Sequence, residues 1–191
     1  MKRADGKRDW PFGGSAEDAA RARLRELIAS ERKRARTHIL FIKRGEPDAS
    51  RDRIAHLMVE RWTKLAQVEG GMTGALGFVG VPINLLLFAY FQIALIVSIA
   101  EIYDTPLEGA SGEEVVLDVL GRAHGAADVL RSSPRVLGAI AKAIALRHGF
   151  SLVGRVVPLV ASPIAAKLNE REMSRLGSEA LRRFGNVVRI E

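Results

Sequence analysis

The chain has 191 residues, 48% hydrophobic and 27% charged, with 29 Lys and Arg against 22 acids and no cysteine. That length suits one domain plus tails and is enough to bury a core. The missing cysteine excludes disulfide stapling, thiolate catalysis and cysteine-bearing metal sites.

The net charge of +7 is unevenly placed: residues 1–44 hold thirteen basic and six acidic side chains, and the remainder holds sixteen of each. The whole surplus therefore sits in the N-terminal segment. It points to an anionic partner, either phospholipid headgroups or nucleic acid, against the plainer reading of a solvated helix face.

Residues 1–14 read as a disordered basic tail without the apolar core of a secretory signal. Its one sticky element, Trp10-Pro11-Phe12, is expected to pack back on the domain. Residues 15–47 read as a basic amphipathic helix with Ser15 as N-cap, Glu17 and Asp18 in the first turn, and a stop at Gly45-Glu46-Pro47. Within it, Arg32, Lys33, Arg34 and Arg36, followed by Lys43 and Arg44, are the candidate residues for an anionic surface. A second helix is expected over Asp48–Gln67, with Ile54, Leu57, Met58, Trp62 and Leu65 spaced along one face.

Gly70 to Ala100 then runs without a charged side chain. Gly71, Gly74, Gly77 and Gly80 form a ladder at every third position, and Pro82 opens a dense apolar helix that ends near Tyr103. That block fits a bilayer and a protein core equally. Its Leu, Ile, Phe and Val side chains favour insertion by roughly 3–7 kcal/mol, but it is short for a span and carries Gln92 at its middle. As a core helix it needs partners for Asn84, Gln92 and Ser98, because an unpaired buried amide costs about 1–3 kcal/mol.

Ser111-Gly112-Glu113-Glu114 reads as a capping box that opens a fourth helix running to Leu130. Ser133-Pro134 opens a fifth, to Arg147; Phe150–Val160 is a shorter apolar piece, and Ser162-Pro163 begins a last long helix with Gly185 past its end. No segment alternates with period two between hairpin turns. The expected fold is all-α, a bundle of six to seven helices around a glycine-rich apolar hairpin, with residues 186–191 as a tail.

Two stretches carry a family likeness. Gly70-Gly71-Met72-Thr73-Gly74-Ala75-Leu76-Gly77-Phe78-Val79-Gly80-Val81-Pro82 continues through Gln92 to Glu101-Ile102-Tyr103, and Gly154-Arg155-Val156-Val157-Pro158 precedes Ala165-Ala166-Lys167-Leu168-Asn169 and Arg182-Arg183-Phe184. In this order they resemble the EcsC family, a bacterial group named for a gene associated with an ABC transporter operon. The resemblance implies a helical domain over residues 48–185 and association with the cytoplasmic membrane face, and it brings no established activity. Asn84 stands where that pattern often has aspartate, and Asp104 follows Tyr103 where it has glycine.

No phosphate-loop, dinucleotide, nucleophile-elbow or zinc-protease motif occurs, and no cofactor is expected. His56 and Glu60, four apart, make two ligands at most, and His38, His124 and His148 read as helix-surface or helix-end residues. Glu101 with Arg155 is a candidate interhelical ion pair, and Arg155 with Asn169 a second contact. The leading expectation is a non-enzymatic protein peripheral to the cytoplasmic face of the inner membrane, with an anionic surface or a membrane protein as partner. A soluble adaptor or nucleic-acid binder is the alternative, and an enzyme with a pocket at Glu101, Arg155 and Asn169 the third.

Overall fold

From Phe88 to Ala100 the apolar block is a helix packed into the protein core. The computed structural model describes residues 16–75, 80–125 and 158–185, and these form five helices: α1 (Ala16–Gly45), α2 (Arg51–Ala75), α3 (Gly80–Ile102), α4 (Gly109–His124) and α5 (Pro158–Gly185). There is no strand among the described residues. The expected fifth helix over 133–147, the first part of the 150–160 piece, Gly77 and both tails lie outside the described residues.

Each of the other four helices packs against α3. From Gln92 to Ala100 every residue of α3 is buried, and Phe88 joins Leu24 and Ile28 of α1, Met58 and Trp62 of α2, Leu117 and Leu120 of α4, and Leu176 and Phe184 of α5 in one core. An apolar helix with no polar face has to be central, because every side it turns outward forfeits burial. Among the described residues no helix is long and apolar enough to cross a membrane.

The long pair α2 and α5 runs antiparallel. Asn169 on α5 donates to the Ala66 carbonyl of α2 at 3.1 Å, and Gly177 comes against Val59 two turns further along. A Cβ on Gly177 would lie 2.6 Å from Val59 Cγ1, so hydrogen is the only substituent that allows this approach. α3 runs antiparallel to α2: Tyr103 donates to Asp52 at 2.5 Å, and Trp62 lies edge-on to Tyr90 with centroids 6.3 Å apart. Trp62 Nε1–H also donates to Ser98 Oγ, which in turn donates to the Ala94 carbonyl.

Several helix ends differ from expectation, each for a local reason. α2 begins after Ser50, whose hydroxyl accepts from the Arg53 N–H, and it continues through Gly71 and Gly74 to Ala75. α3 starts two residues before Pro82, and α5 begins at Pro158 rather than at Pro163. α4 ends at His124, because Gly125 takes φ +64° and its N–H returns to Arg122, so the expected run to Leu130 is not made as one helix. The capping box is not formed either. Glu108 is the N-cap, so Ser111 lies inside the first turn and donates to the Glu108 carbonyl instead of capping.

The end of α3 closes in a left-handed turn at Asp104. Thr105 N–H returns to Ala100 and Asp104 N–H to Glu101, with Asp104 at φ +53°. This is the left-handed closure in which glycine is least strained. Asp104 holds it with a side chain whose exposed pairing to Arg51 adds little. Asp104→Gly is expected to stabilise the fold by up to about 1 kcal/mol, a rise of about 2–4 °C in Tm. Thermal unfolding checks this, and a fall of similar size would mean that the Arg51 pair outweighs the backbone.

Candidate anionic-surface site

The basic residues of α1 divide by helix geometry into two groups. At about 100° per residue, Arg21, Arg25, Arg32 and Arg36 fall within about 60° of one another. They border the apolar stripe of Leu24, Ile28 and Ala35 that faces the core. Arg21-x-x-x-Arg25 and Arg32-x-x-x-Arg36 are the same unit repeated eleven residues, or three turns, apart.

Each unit closes on one carboxylate of another helix. Arg21 and Arg25 both donate to Glu113 of α4, which is 1% exposed. Arg32 and Arg36 both donate to Glu101 of α3, at 3.1 and 2.5 Å, and Arg32 also reaches Glu108. Burial alone would raise the Glu101 carboxyl above its ordinary range. The hydrogen bonds from Arg36 and Arg32 outweigh that and hold it lower.

On the other edge of α1, Arg34 and Tyr90 both donate to Oε1 of the buried Glu31, and Arg34 also donates to the Tyr90 hydroxyl. Burial, then Glu31, pushes the Tyr90 phenol up. Next to them Arg61 of α2 donates to His38 Nε2 at 3.3 Å, and burial, then Arg61, pushes the His38 imidazole down.

Of the six candidate residues, then, Arg32, Arg34 and Arg36 have carboxylate partners within the chain. Lys33, Lys43 and Arg44 are exposed and make no ion pair among the described residues. Lys33, Thr37, Leu40 and Arg44 fall within about 60° on the outward side, with Phe41 flanking them, while Lys43 falls on the azimuth of the clamp arginines one turn or more beyond Arg36. The unpaired cations Lys33 and Arg44 thus share a face with the exposed Leu40, and the exposed Phe41 borders it. The signal for that pairing in the sequence is Leu40-Phe41 standing just before Lys43-Arg44.

The structural-motif residues scatter. Gly71 and Gly74 lie in α2; Gly80, Pro82 and Asn84 lie in the first turns of α3; Pro158 opens α5. Gly77 and Arg155 lie outside the described residues. Glu101 takes its cations from α1, and Asn169 donates to Ala66 and to Glu69 of α2.

Gln92 is fully buried and accepts from His124 Nε2 at 2.8 Å; His124 Nδ1 lies 3.5 Å from Glu172 of α5. His124 is the last residue of α4, as a helix-end residue is expected to be, but it is buried rather than on the surface and joins α3, α4 and α5. Its thirty-two-residue separation from Gln92 hides this in the sequence. His56 Nδ1–H donates to the Asp52 carbonyl and Glu60 pairs with Lys64, so the two share no ligand geometry. No metal-holding cluster is found among the described residues.

No protein-family model, curated protein or solved structure matches the chain.

Because the Glu101 carboxyl is held low when folded, its contribution to stability is present above the unfolded value near 4.5 and is lost as pH falls through the folded value. Glu101→Gln is expected to cost about 1–3 kcal/mol at pH 7, at or below the range for breaking a buried pair because Arg36 can rehydrate. Denaturant unfolding at a series of pH values should show that cost shrinking below pH 4.5; a cost independent of pH would contradict the clamp.

Proposed function

We propose that this protein is a non-enzymatic helical protein that docks on the anionic cytoplasmic face of a membrane through the outward face of α1. The observation that carries the reading is Phe41, 72% exposed, beside Leu40 at 59%, with Lys33, Lys43 and Arg44 around them. A single exposed apolar residue is unremarkable on a surface, whereas an adjacent pair ringed by cations is the pattern of a helix lying at a headgroup interface.

The magnitudes suit reversible docking. Three cations near an anionic surface contribute about 3 kcal/mol. Half-burying Leu40 and Phe41 adds about 2 kcal/mol more. Nucleic acid would attract the cations through its phosphates but offers the Leu40–Phe41 pair little apolar surface in which to bury.

The EcsC resemblance, carried by the glycine ladder and the Arg155 and Asn169 segments, is part of this reading and suggests a place in transport or envelope processes. The finer architecture we propose with it, six to seven helices and a glycine-rich hairpin before Pro82, turns on residues 76–79 and 126–157.

Flotation with vesicles of phosphatidylglycerol in phosphatidylcholine tests the reading. Leu40→Ser/Phe41→Ser is expected to weaken binding about tenfold or more with Tm unchanged. Lys33→Gln/Lys43→Gln/Arg44→Gln should lower it by about two orders of magnitude. Arg32→Gln/Arg36→Gln should instead lower Tm. Wild-type protein that fails to float with anionic vesicles would sink the proposal.

A further inference from the structure

We propose that His38 makes this docking acid-responsive: its protonation breaks the contact between α1 and Arg61 of α2 and adds a cation beside Phe41, so that anionic membranes are bound more tightly below neutral pH. This rests on the membrane reading of α1 and concerns its regulation.

The geometry requires a neutral imidazole. Arg61 Nη2 is 3.3 Å from His38 Nε2, and a guanidinium can only donate, so Nε2 must be the bare acceptor. A proton placed there would point an N–H at another donor. Nδ1 is buried and has no hydrogen-bond partner among the described residues, so the imidazolium would meet no acceptor on either side.

The charged and titratable groups around the ring come from three helices. Arg61 faces it from α2; Arg34 and Glu31 act on it from α1 itself; Tyr90 of α3 is bonded to both Arg34 and Glu31. Two of the four are cations, and the one carboxylate has Oε1 committed to Arg34 and Tyr90. Burial and then Arg61 hold the imidazole below its ordinary 6.5, with Glu31 opposing them in part.

The sign follows from proton linkage. The ring takes a proton less readily against Arg61 than away from it, so the contact is intact above about pH 6.5 and is weakened as pH falls below that value. His38 lies about 60° from Phe41 around the helix, so the new charge appears at the edge of the docking face. This end of α1 is also held by Ile39 and Ile42, which pack against the core, and by the short link to α2, so the change is a local loosening rather than a release of the helix. The other charged bridge is the exposed pair between Arg53 and Glu46, beyond the last turn of α1.

The experiment compares wild type with His38→Gln, which keeps an acceptor but cannot charge, in flotation with phosphatidylglycerol vesicles at pH 7.5 and pH 5.0. Wild type is expected to bind about fivefold more tightly at pH 5.0, the effect of one added cation, and His38→Gln to lose most of that gain while matching wild type at pH 7.5. The other histidines are common to both proteins, so the difference isolates His38. An equal gain in both would overturn the coupling and leave the membrane reading standing; no binding by wild type at either pH would overturn both. Without lipid, an NMR titration should place the His38 imidazole below 6.5 and Arg61→Gln should move it up; a ring at or above 6.5 in wild type would contradict the contact itself.

Discussion

Two carboxylates decide where α1 belongs. Glu113 on α4 and Glu101 on α3 each accept from a pair of arginines four residues apart on α1, and the two pairs are three turns apart on one stripe. The helix that carries most of the chain's excess charge is thereby held against the core rather than extended as a free arm. Among the described residues of α1, Leu24, Ile28 and Ala35 are fully buried and Leu27, Ile39 and Ile42 pack partly buried against the core, and the arginine pairs fix the same register from the border of that stripe. Leaving Glu113 without them would strand a nearly inaccessible charge, which is what makes such a pair directive even where its net stabilisation is small.

Docking by one stripe fixes what the opposite stripe can do. With the clamp residues turned to the bundle, Lys33, Leu40, Phe41 and Arg44 are turned away from it. The outward face is a by-product of the inward one. Its composition is unusual for a solvated helix because it joins large apolar side chains to unpaired cations. The edge between the two faces, where Arg34 and His38 meet Glu31, Tyr90 and Arg61, is the place where a change of proton occupancy can alter both.

Much of the fold was legible in the sequence, and the reasons for the rest are physical. Helical spacing in Ile54 to Trp62, the uncharged run to Ala100 and the stop at Gly45-Glu46-Pro47 placed elements correctly, because burial and backbone chemistry act locally. Leu65, expected on the same face, is exposed. The boundaries that moved turn on local caps that compete with those expected, Ser50 before α2, Glu108 before α4 and the left-handed Gly125 after it. Glu113 pairs with Arg21 and Arg25, 92 and 88 residues away in sequence, a contact that no local pattern displays. The core-or-membrane question about α3 was likewise undecidable from hydropathy, and it is resolved for the described residues by four helices that cover it.

The site was less legible. Sequence reasoning assigned Arg32, Arg34 and Arg36 to an external anion, since a run of cations looks alike whether its partners are inside or outside the molecule. The recurrence of Arg-x-x-x-Arg at eleven residues was the available signal, because a solvated face has no need of that register. The measurement that bears most directly on α1 is amide hydrogen exchange in the free protein. If the clamps hold, amides from Leu24 to Arg36 are protected to a degree comparable with those of Ile93 to Ala100; exchange there at rates near those of an unfolded chain would contradict the account.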